Sequence, residues 1–163
     1  MPNHCNNQLT LASGGNILDV LNPYIIDAGE TGGGCRDYEF DFQSIIPMDD
    51  ELLKGGDWYN WRVENWGTKW NGYDGRFNCD DFSSFSFDTA WAPPLPIIKK
   101  LAELTGETFI LEYIEYGMFF CGRYTASPEE DHDEFHEYIG TAPKEILDSL
   151  GYEPYEEELE ASK

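Results

Sequence analysis

The stretch "FSSFSFDTAWAPPLPIIKKLAELTG", residues 82–106, decides the fold. From Phe85 to Trp91 every second side chain is aromatic or β-branched, which is typical of a half-buried β-strand. The prolines that follow suit the first turn of a helix, where a backbone N–H has no partner to lose. The apolar stripe of this predicted helix consists of Ile97, Ile98, Leu101 and Leu104. Gly106 ends the stripe, so the stretch predicts a strand followed by an amphipathic helix.

The segments on either side of this unit predict further strands. "TFILEYIEYGMFFCGRY", residues 108–124, indicates a strand or a hairpin that bends at Gly117. Near the start of the chain, "NQLTLA" at 7–12 directs Leu9 and Leu11 to one face and predicts a short strand.

The chain between residues 13 and 53 reads as a mixture of short elements. "NILDVL" predicts a helix with Asn16 as its N-cap, which Pro23 ends or kinks. "GETGGGC", 29–35, predicts a flexible turn, because no Lys-Ser or Lys-Thr follows it as in a phosphate-binding loop. "DYEFDFQSIIP", 37–47, alternates aromatic and charged residues and predicts a half-buried strand. A short helix capped by Asp49 is expected next.

Residues 54–81 fit neither regular element and predict a long aromatic insertion. They contain four of the five tryptophans, namely Trp58, Trp61, Trp66 and Trp70. Within "NWGTKW", residues 65–70, the tryptophans and Lys69 suit a stacking surface for a base or a sugar. Alternatively the rings cover the open end of the sheet and Lys69 lies along one of them. We favour this second interpretation.

The order of these elements predicts an α+β protein with a ferredoxin-like, split βαβ antiparallel sheet and helices on one face. We expect residues 1–125 to form this domain, with the Trp-rich insertion inside it. Residues 126–163 form an acidic C-terminal helical appendix, packed on the domain or trailing from it. Within the appendix, "TAPKEILDSLGY" at 141–152 predicts a short helix with Thr141 as its cap and Gly151 as its stop.

Five strings of the sequence resemble one known family. They are "MPNHCNNQLT" at 1–10, "IIPM" at 45–48, "NWRVENWGTKWN" at 60–71, "FDTAWAPPLPII" at 87–98 and "CGRY" at 121–124. Together they resemble the YubB-like, Api-type family of ferredoxin-like proteins, over about residues 1–125. The resemblance implies the ferredoxin-like fold and an origin on phages or plasmids. It supplies no catalytic residues, and the acidic region after residue 125 lies outside it.

The charge of the chain is its most unusual property. The 163 residues include 32 acids and 10 bases, a formal net charge of −22. Residues 127–163 alone carry thirteen acids and two bases, so they hold half of the net charge. Such a protein repels phosphate, which argues against direct nucleic-acid binding and favours a basic protein surface as the partner. An anionic lipid surface is excluded as a partner for the same reason.

The stretch "SPEEDHDEFHEY", residues 127–138, is the densest acidic segment. The residues predicted to contact a partner are Glu129, Glu130, Asp131, Asp133, Glu134, Glu137, Glu153, Glu156, Glu157 and Glu158. His132 and His136 are four residues apart and suit zinc if the segment is helical, but the glutamate of an H-E-x-x-H motif is missing. The spacing also fails the EF-hand pattern for Ca²⁺. We therefore predict no metal and interpret these histidines as solvated.

No sequence motif indicates catalysis. A serine nucleophile motif, a P-loop and a dinucleotide fingerprint are all missing from the sequence. Cys5 follows His4, but neighbours in sequence rarely form a nucleophile–base pair. The other cysteines, Cys35, Cys79 and Cys121, are widely spaced, so we expect free thiols in a reducing compartment. We predict no enzyme activity, no catalytic residues and no cofactor.

The N-terminus lacks a signal peptide, and no apolar run is long enough to span a membrane. The predicted location is therefore the host-cell cytosol.

These features lead to one functional hypothesis and two alternatives. The hypothesis is an anti-defence protein of a phage or mobile element, acting as an anti-CRISPR or anti-restriction inhibitor. It binds the cationic surface of a host nucleic-acid-binding protein or nuclease complex as a DNA mimic. One alternative is a small ligand-binding or enzymatic domain that uses the Trp-rich loop. The other is an accessory scaffold protein whose acidity serves solubility alone.

Overall fold

The computed structural model describes residues 3–32, 35–78 and 80–152. These residues form an antiparallel sheet of eight strands in the order β2-β3-β4-β5-β1-β6-β7-β8. The strands are β1 His4–Leu11, β2 Ile25–Gly32, β3 Cys35–Phe40, β4 Gly72–Phe77, β5 Ser84–Ala90, β6 Phe109–Glu115, β7 Phe120–Ala126 and β8 Asp131–His136. The α-helices are α1 Ile17–Leu21, α2 Asp50–Gly55, α3 Trp58–Trp66, α4 Leu95–Thr105 and α5 Lys144–Ser149. Short 3₁₀ turns occupy Asn22–Tyr24, Phe42–Ser44 and Ile139–Thr141.

The centre of the sheet is a split βαβ unit. Both β5 and β6 pair antiparallel with β1, so they run parallel to each other with β1 between them. Helix α4 connects them. The predicted α+β class with an antiparallel sheet is confirmed, although the sheet has eight strands where the sequence pattern indicated four.

One face of the sheet carries the main core. Helices α1, α3 and α4 contribute buried side chains that pack with those of β1, β5 and β6. In α4 the residues Ile97, Ile98 and Leu101 are fully buried as predicted, but Leu104 is 49% exposed. Ala102 is buried as well, which turns the buried face of α4 toward the side of the helix that carries Thr105. Leu104 therefore lies at the margin of this face. Gly106 ends the helix with a φ of 74°, as expected.

The opposite face is partly covered by α5. A second apolar cluster there joins Ile114 of β6 and Cys121 of β7 to Ile139 and Ala142, with Leu147 packed against it. Helix α5 belongs to the C-terminal appendix, which was expected either to pack on the domain or to trail from it. It packs on this face because Ile114 and Cys121 place apolar surface there that would otherwise be in water.

The aromatic insertion is more regular than the sequence suggested. Residues 54–81 contain helix α3 and strand β4, where an irregular loop was expected. An irregular loop was expected because β4 contains two glycines, which are uncommon inside strands. A Cβ atom on Gly72 would lie 2.9 Å from Phe87, and one on Gly75 would lie 2.5 Å from Phe85. These glycines therefore serve close packing against aromatic rings within a strand.

The first hairpin also differs from its prediction. Of the glycine-rich segment 29–35, expected to be a turn, residues 29–32 belong to β2 and residue 35 begins β3, while Gly33 and Gly34 lie outside the described residues. The two strands pair with register shifts near Gly29. Glycine is tolerated in a strand at such bulges. The predicted strand 37–47 is correct only to Phe40, because a 3₁₀ turn follows. The Asp49 cap is confirmed: its carboxylate accepts the Glu51 N–H at 3.1 Å.

The C-terminal region is a strand followed by a short helix. The hairpin predicted over 108–124 is confirmed as β6 and β7. Residues 131–136 form the edge strand β8, so the appendix is only partly helical. Thr141 does not cap α5, because its hydroxyl donates to the Tyr138 carbonyl at 2.7 Å, whereas Gly151 has the expected positive φ of 69°. A domain division after residue 125 stays a prediction.

Two further findings concern the length of the helices and the state of the cysteines. Within the described ranges, no helix has the length and apolar character needed to cross a lipid bilayer. Cys5 and Cys121 are buried free thiols, as expected. Cys79 and the side chain of Cys35 lie outside the described part of the chain.

Candidate functional site

Six of the ten predicted partner-binding residues lie on the edge strand β8 or directly beside it. We call residues 129–137 the acidic edge; they comprise the end of the β7–β8 turn, strand β8 and the residue after it. Its carboxylates belong to Glu129, Glu130, Asp131, Asp133, Glu134 and Glu137. Glu134 is half-buried and the other five residues are exposed. The remaining predicted residues, Glu153, Glu156, Glu157 and Glu158, lie outside the described part of the chain.

Two carboxylates of the acidic edge are held by buried tyrosines. The Tyr124 hydroxyl donates to Asp131 Oδ2, and the Tyr113 hydroxyl donates to Asp133 Oδ1, each at 2.7 Å. Burial, together with the hydrogen bond to the neighbouring aspartate, raises the pKa of both tyrosines. Both phenols therefore stay protonated and keep donating, which holds the two aspartates in place along β8.

The turn before β8 is fixed by a lysine that does not neutralise it. Lys99 Nζ donates to the carbonyl oxygens of Ser127 and Pro128, at 2.7 and 3.1 Å. The turn is closed by the Ser127 N–H, which donates to the Glu130 carbonyl at 2.8 Å. Because Lys99 binds backbone carbonyls, it orients the acidic edge from helix α4 without pairing with its carboxylates.

The charge of the acidic edge is not compensated inside the described structure. Other acids do have partners there, such as Asp27 with Arg36 at 2.7 Å and Glu112 with Arg123 at 3.1 Å. Among the residues described, no lysine or arginine forms an ion pair with an acidic-edge carboxylate. Like charges at this density repel one another and destabilise the folded state. A cationic partner would reduce this repulsion.

The histidines of the acidic edge are placed on β8. His136 Nε2 lies 3.6 Å from Glu134 Oε1. His132 is exposed and pairs in register with Thr125. In the described ranges, no group of three or more His, Cys, Asp or Glu residues is arranged to hold a metal ion.

A second surface is a cleft of about 810 Å³ beside the start of β1 and β4. We call it the aromatic cleft, and its lining residues are His4, Glu39, Arg62, Lys69, Trp70, Asn71 and Tyr73. The cleft combines aromatic rings with cationic groups in a protein that is otherwise strongly acidic. Trp66, by contrast, belongs to the core and is 1% exposed.

The cations of the aromatic cleft rest on tryptophan rings. The Arg62 guanidinium lies 5.2 Å from the Trp58 ring centre and 4.7 Å from that of Trp66. Lys69 Nζ lies 4.2 Å from the Trp70 ring centre, so Lys69 does lie along a ring, as the favoured interpretation expected. Arg62 Nε is buried and has no hydrogen-bond partner among the described residues. Such an unsatisfied donor costs about 1–3 kcal/mol and is often found at functional sites.

The polar end of the aromatic cleft is held by two side-chain pairs. His4 Nδ1 shares a hydrogen bond with the Tyr73 hydroxyl, and burial raises the pKa of Tyr73 to about 12. Asn71 Nδ2 donates to Glu39 Oε1 at 2.8 Å, while Asn71 Oδ1 accepts the Phe42 N–H at 3.1 Å. These contacts fix the orientation of the groups that a ligand would meet.

Sequence reasoning identified Lys69 and Trp70 as a possible stacking surface, but it missed Arg62, Tyr73 and His4. The spacing Trp58-x₃-Arg62-x₃-Trp66 was a usable signal, since residues four apart meet on a helix. Sequence reasoning missed this signal because it assigned the residues of α3 to a loop. Burial raises the pKa of the Cys5 thiol, which favours its protonated form.

The comparisons with known proteins give one match. A family model described as the ferredoxin-like domain in Api92-like protein matches residues 65–160, which is more than half of the chain. It agrees with the predicted ferredoxin-like fold. The matched range includes the acidic edge, whereas the motif resemblance was placed over 1–125 with that region outside it. No curated protein and no solved structure matches the chain.

Proposed function

We propose that this chain, which belongs to the family of ferredoxin-like domains in Api92-like proteins, is an anti-defence protein of a phage or another mobile element. In this proposal its acidic edge occupies the cationic nucleic-acid groove of a host complex in the cytosol and blocks it. The motif resemblance supports the mobile-element origin. Anti-CRISPR and anti-restriction action both suit this chemistry.

The observation that carries the proposal is the charge of the acidic edge, which has no lysine or arginine partner among the described residues and is held in place at two of its carboxylates. Its six carboxylates fall within nine residues, two of them are held by tyrosine hydroxyls, and the turn is held by Lys99. A surface that existed for solubility alone would need no such support for its carboxylates.

The charge density of the acidic edge approaches that of DNA. Even if they were fully extended, nine residues would cover at most about 30 Å, so six carboxylates give at least one charge per roughly 5 Å of chain. One strand of B-DNA carries a charge per roughly 3.4 Å of helix axis. A groove lined with lysine and arginine therefore meets a comparable line of charge and releases counterions when the two surfaces join.

The experiment is capture of a partner from a host lysate with three forms of the protein. They are the wild type, an edge variant (Glu129→Gln, Glu130→Gln, Glu137→Gln) and a control variant (Asp50→Asn, Glu51→Gln, Glu64→Gln). Each variant removes three exposed carboxylates that make no side-chain bond in the described structure. We expect the wild type and the control variant to retain a basic complex that about 0.5 M salt releases.

The edge variant should bind that complex at least about tenfold more weakly, because each lost carboxylate removes a contact with a cationic side chain. Equal retention by the edge and control variants would contradict the proposal. So would a partner that remains bound at high salt.

A further inference from the structure

The placement of unpaired cations points to a second binding site. Four basic residues of the described chain have no carboxylate partner there: Lys54, Arg62, Lys69 and Lys144. Two of them, Arg62 and Lys69, line the aromatic cleft. Glu39 also lines the cleft, where its carboxylate accepts a hydrogen bond from Asn71, so two cations share the cleft with one carboxylate in a chain of 32 acids and 10 bases. We propose that the aromatic cleft binds a mononucleotide, with its base on Trp70 and its phosphate on Lys69 and Arg62.

Trp70 provides the stacking wall. Its side chain is 39% exposed, and the Tyr73 ring meets it edge-on with 6.5 Å between ring centres. The ammonium of Lys69 covers one face of the Trp70 indole. A base that stacks on this face replaces the ammonium, and the phosphate of the same ligand receives it. In the complex, the Lys69 ammonium therefore pairs with the phosphate after it has left the Trp70 ring.

Arg62 provides a fixed second cation. Its guanidinium lies against the rings of Trp58 and Trp66, and Nη1 donates to the Lys69 carbonyl at 3.2 Å. This contact joins helix α3 to the loop that carries Lys69 and Trp70. A planar guanidinium that is held in place in this way is well suited to phosphate oxygens.

The negative charge of the protein limits how large a nucleotide ligand can be. A chain of net charge −22 repels a polynucleotide. A mononucleotide carries only about two negative charges, so the repulsion is far smaller. The acidic edge is also distant, since β4 and β1, which supply Tyr73 and His4 to the cleft, lie five and three strand positions from β8, or about 24 and 14 Å. Both separations exceed the screening length of about 8 Å at physiological salt. The site is therefore independent of the proposed function of the acidic edge.

Titration calorimetry of the folded wild-type protein with adenosine 5′-monophosphate tests the proposal. We expect saturable binding of one nucleotide, with a Kd on the order of 10⁻⁴ M. Adenosine and inorganic phosphate, titrated separately, should each bind at least about tenfold more weakly, since each offers only half of the contacts. Absence of saturable binding up to about 10 mM nucleotide would overturn the proposal. Phosphate binding as tight as that of the nucleotide would overturn it as well.

Matched variants locate the site. Lys69→Met should weaken nucleotide binding about tenfold, because it removes the phosphate contact. It should not weaken adenosine binding, because it also removes the ammonium that adenosine must displace from Trp70. Trp70→Ala should weaken both about tenfold, whereas Trp70→Phe keeps a stacking ring and most of the affinity. Lys54→Met makes the same charge change outside the cleft and should alter Kd less than about twofold. Equal effects of Lys69→Met and Lys54→Met, with all variants folded by circular dichroism, would contradict this location.

Discussion

Replacing Trp66 by alanine is expected to lower the free energy of unfolding by about 3–5 kcal/mol. The side chain is 1% exposed and meets the rings of Phe42 and Trp61 edge-on. Its Nε1–H donates to the Ile46 carbonyl at 2.8 Å, so the substitution also leaves that acceptor without its partner. Because small domains are stable by about 5–15 kcal/mol, the variant should be close to unfolding at 37 °C. Urea denaturation followed by circular dichroism measures the loss.

Trp70→Ala is the internal control for this prediction. Trp70 comes four residues later but is 39% exposed, so its removal should cost at most about 1 kcal/mol. If both substitutions lowered the free energy of unfolding equally, the assignment of Trp66 to the core and of Trp70 to the cleft would be wrong. The comparison also establishes that Trp70→Ala is folded, as the nucleotide titration requires.

Gly122→Ala should detach the acidic edge from the sheet. A Cβ atom at this position of β7 would clash with the Tyr113 hydroxyl and would lie 2.7 Å from the Glu134 carbonyl oxygen of β8. Either β8 moves away or Tyr113 releases Asp133, and overpacking of this kind costs about 1–3 kcal/mol. Hydrogen exchange should show faster exchange in β8, with little change in β1 and β5.

The matched control is Gly55→Ala, whose Cβ would meet no atom within 4 Å. That substitution should leave stability unchanged or raise it slightly, because alanine is the better helix former. If β8 amides in Gly122→Ala exchange as slowly as in the wild type, the close packing of β7 against β8 is contradicted.

Periodic apolar patterns predicted the central elements of the fold correctly. The stripe of α4, the alternation in β5 and the hairpin over 108–124 all follow from local sequence, because their buried faces are apolar. The same reasoning failed at Leu104, where the neighbouring side chains decide which edge of the stripe is buried. It also failed in β4, where glycine indicated a loop although Gly75 is needed beneath the Phe85 ring.

The charge of the acidic edge could be predicted from the sequence, but the side chains that hold it in place could not. Counting acids identified residues 129–137 as a candidate surface. Of the residues that hold it, Tyr113 and Lys99 are distant in sequence, whereas Tyr124 is seven residues from Asp131. They meet the acidic edge only through the pairing of β6, β7 and β8 and the packing of α4. In β8 the side chains Asp131 and Asp133 point toward buried tyrosines, so the strand lacks the apolar alternation by which strands are recognised.

The most direct test of the central claim is a competition between this protein and duplex DNA for the captured host complex. We predict that the wild type displaces labelled DNA from the purified complex. Its apparent Kd should weaken at least about tenfold between roughly 0.05 and 0.2 M salt, and the edge variant should displace DNA poorly. A ternary complex in which the protein and DNA bind together, or an affinity that salt does not change, would contradict the claim that the acidic edge occupies a nucleic-acid groove.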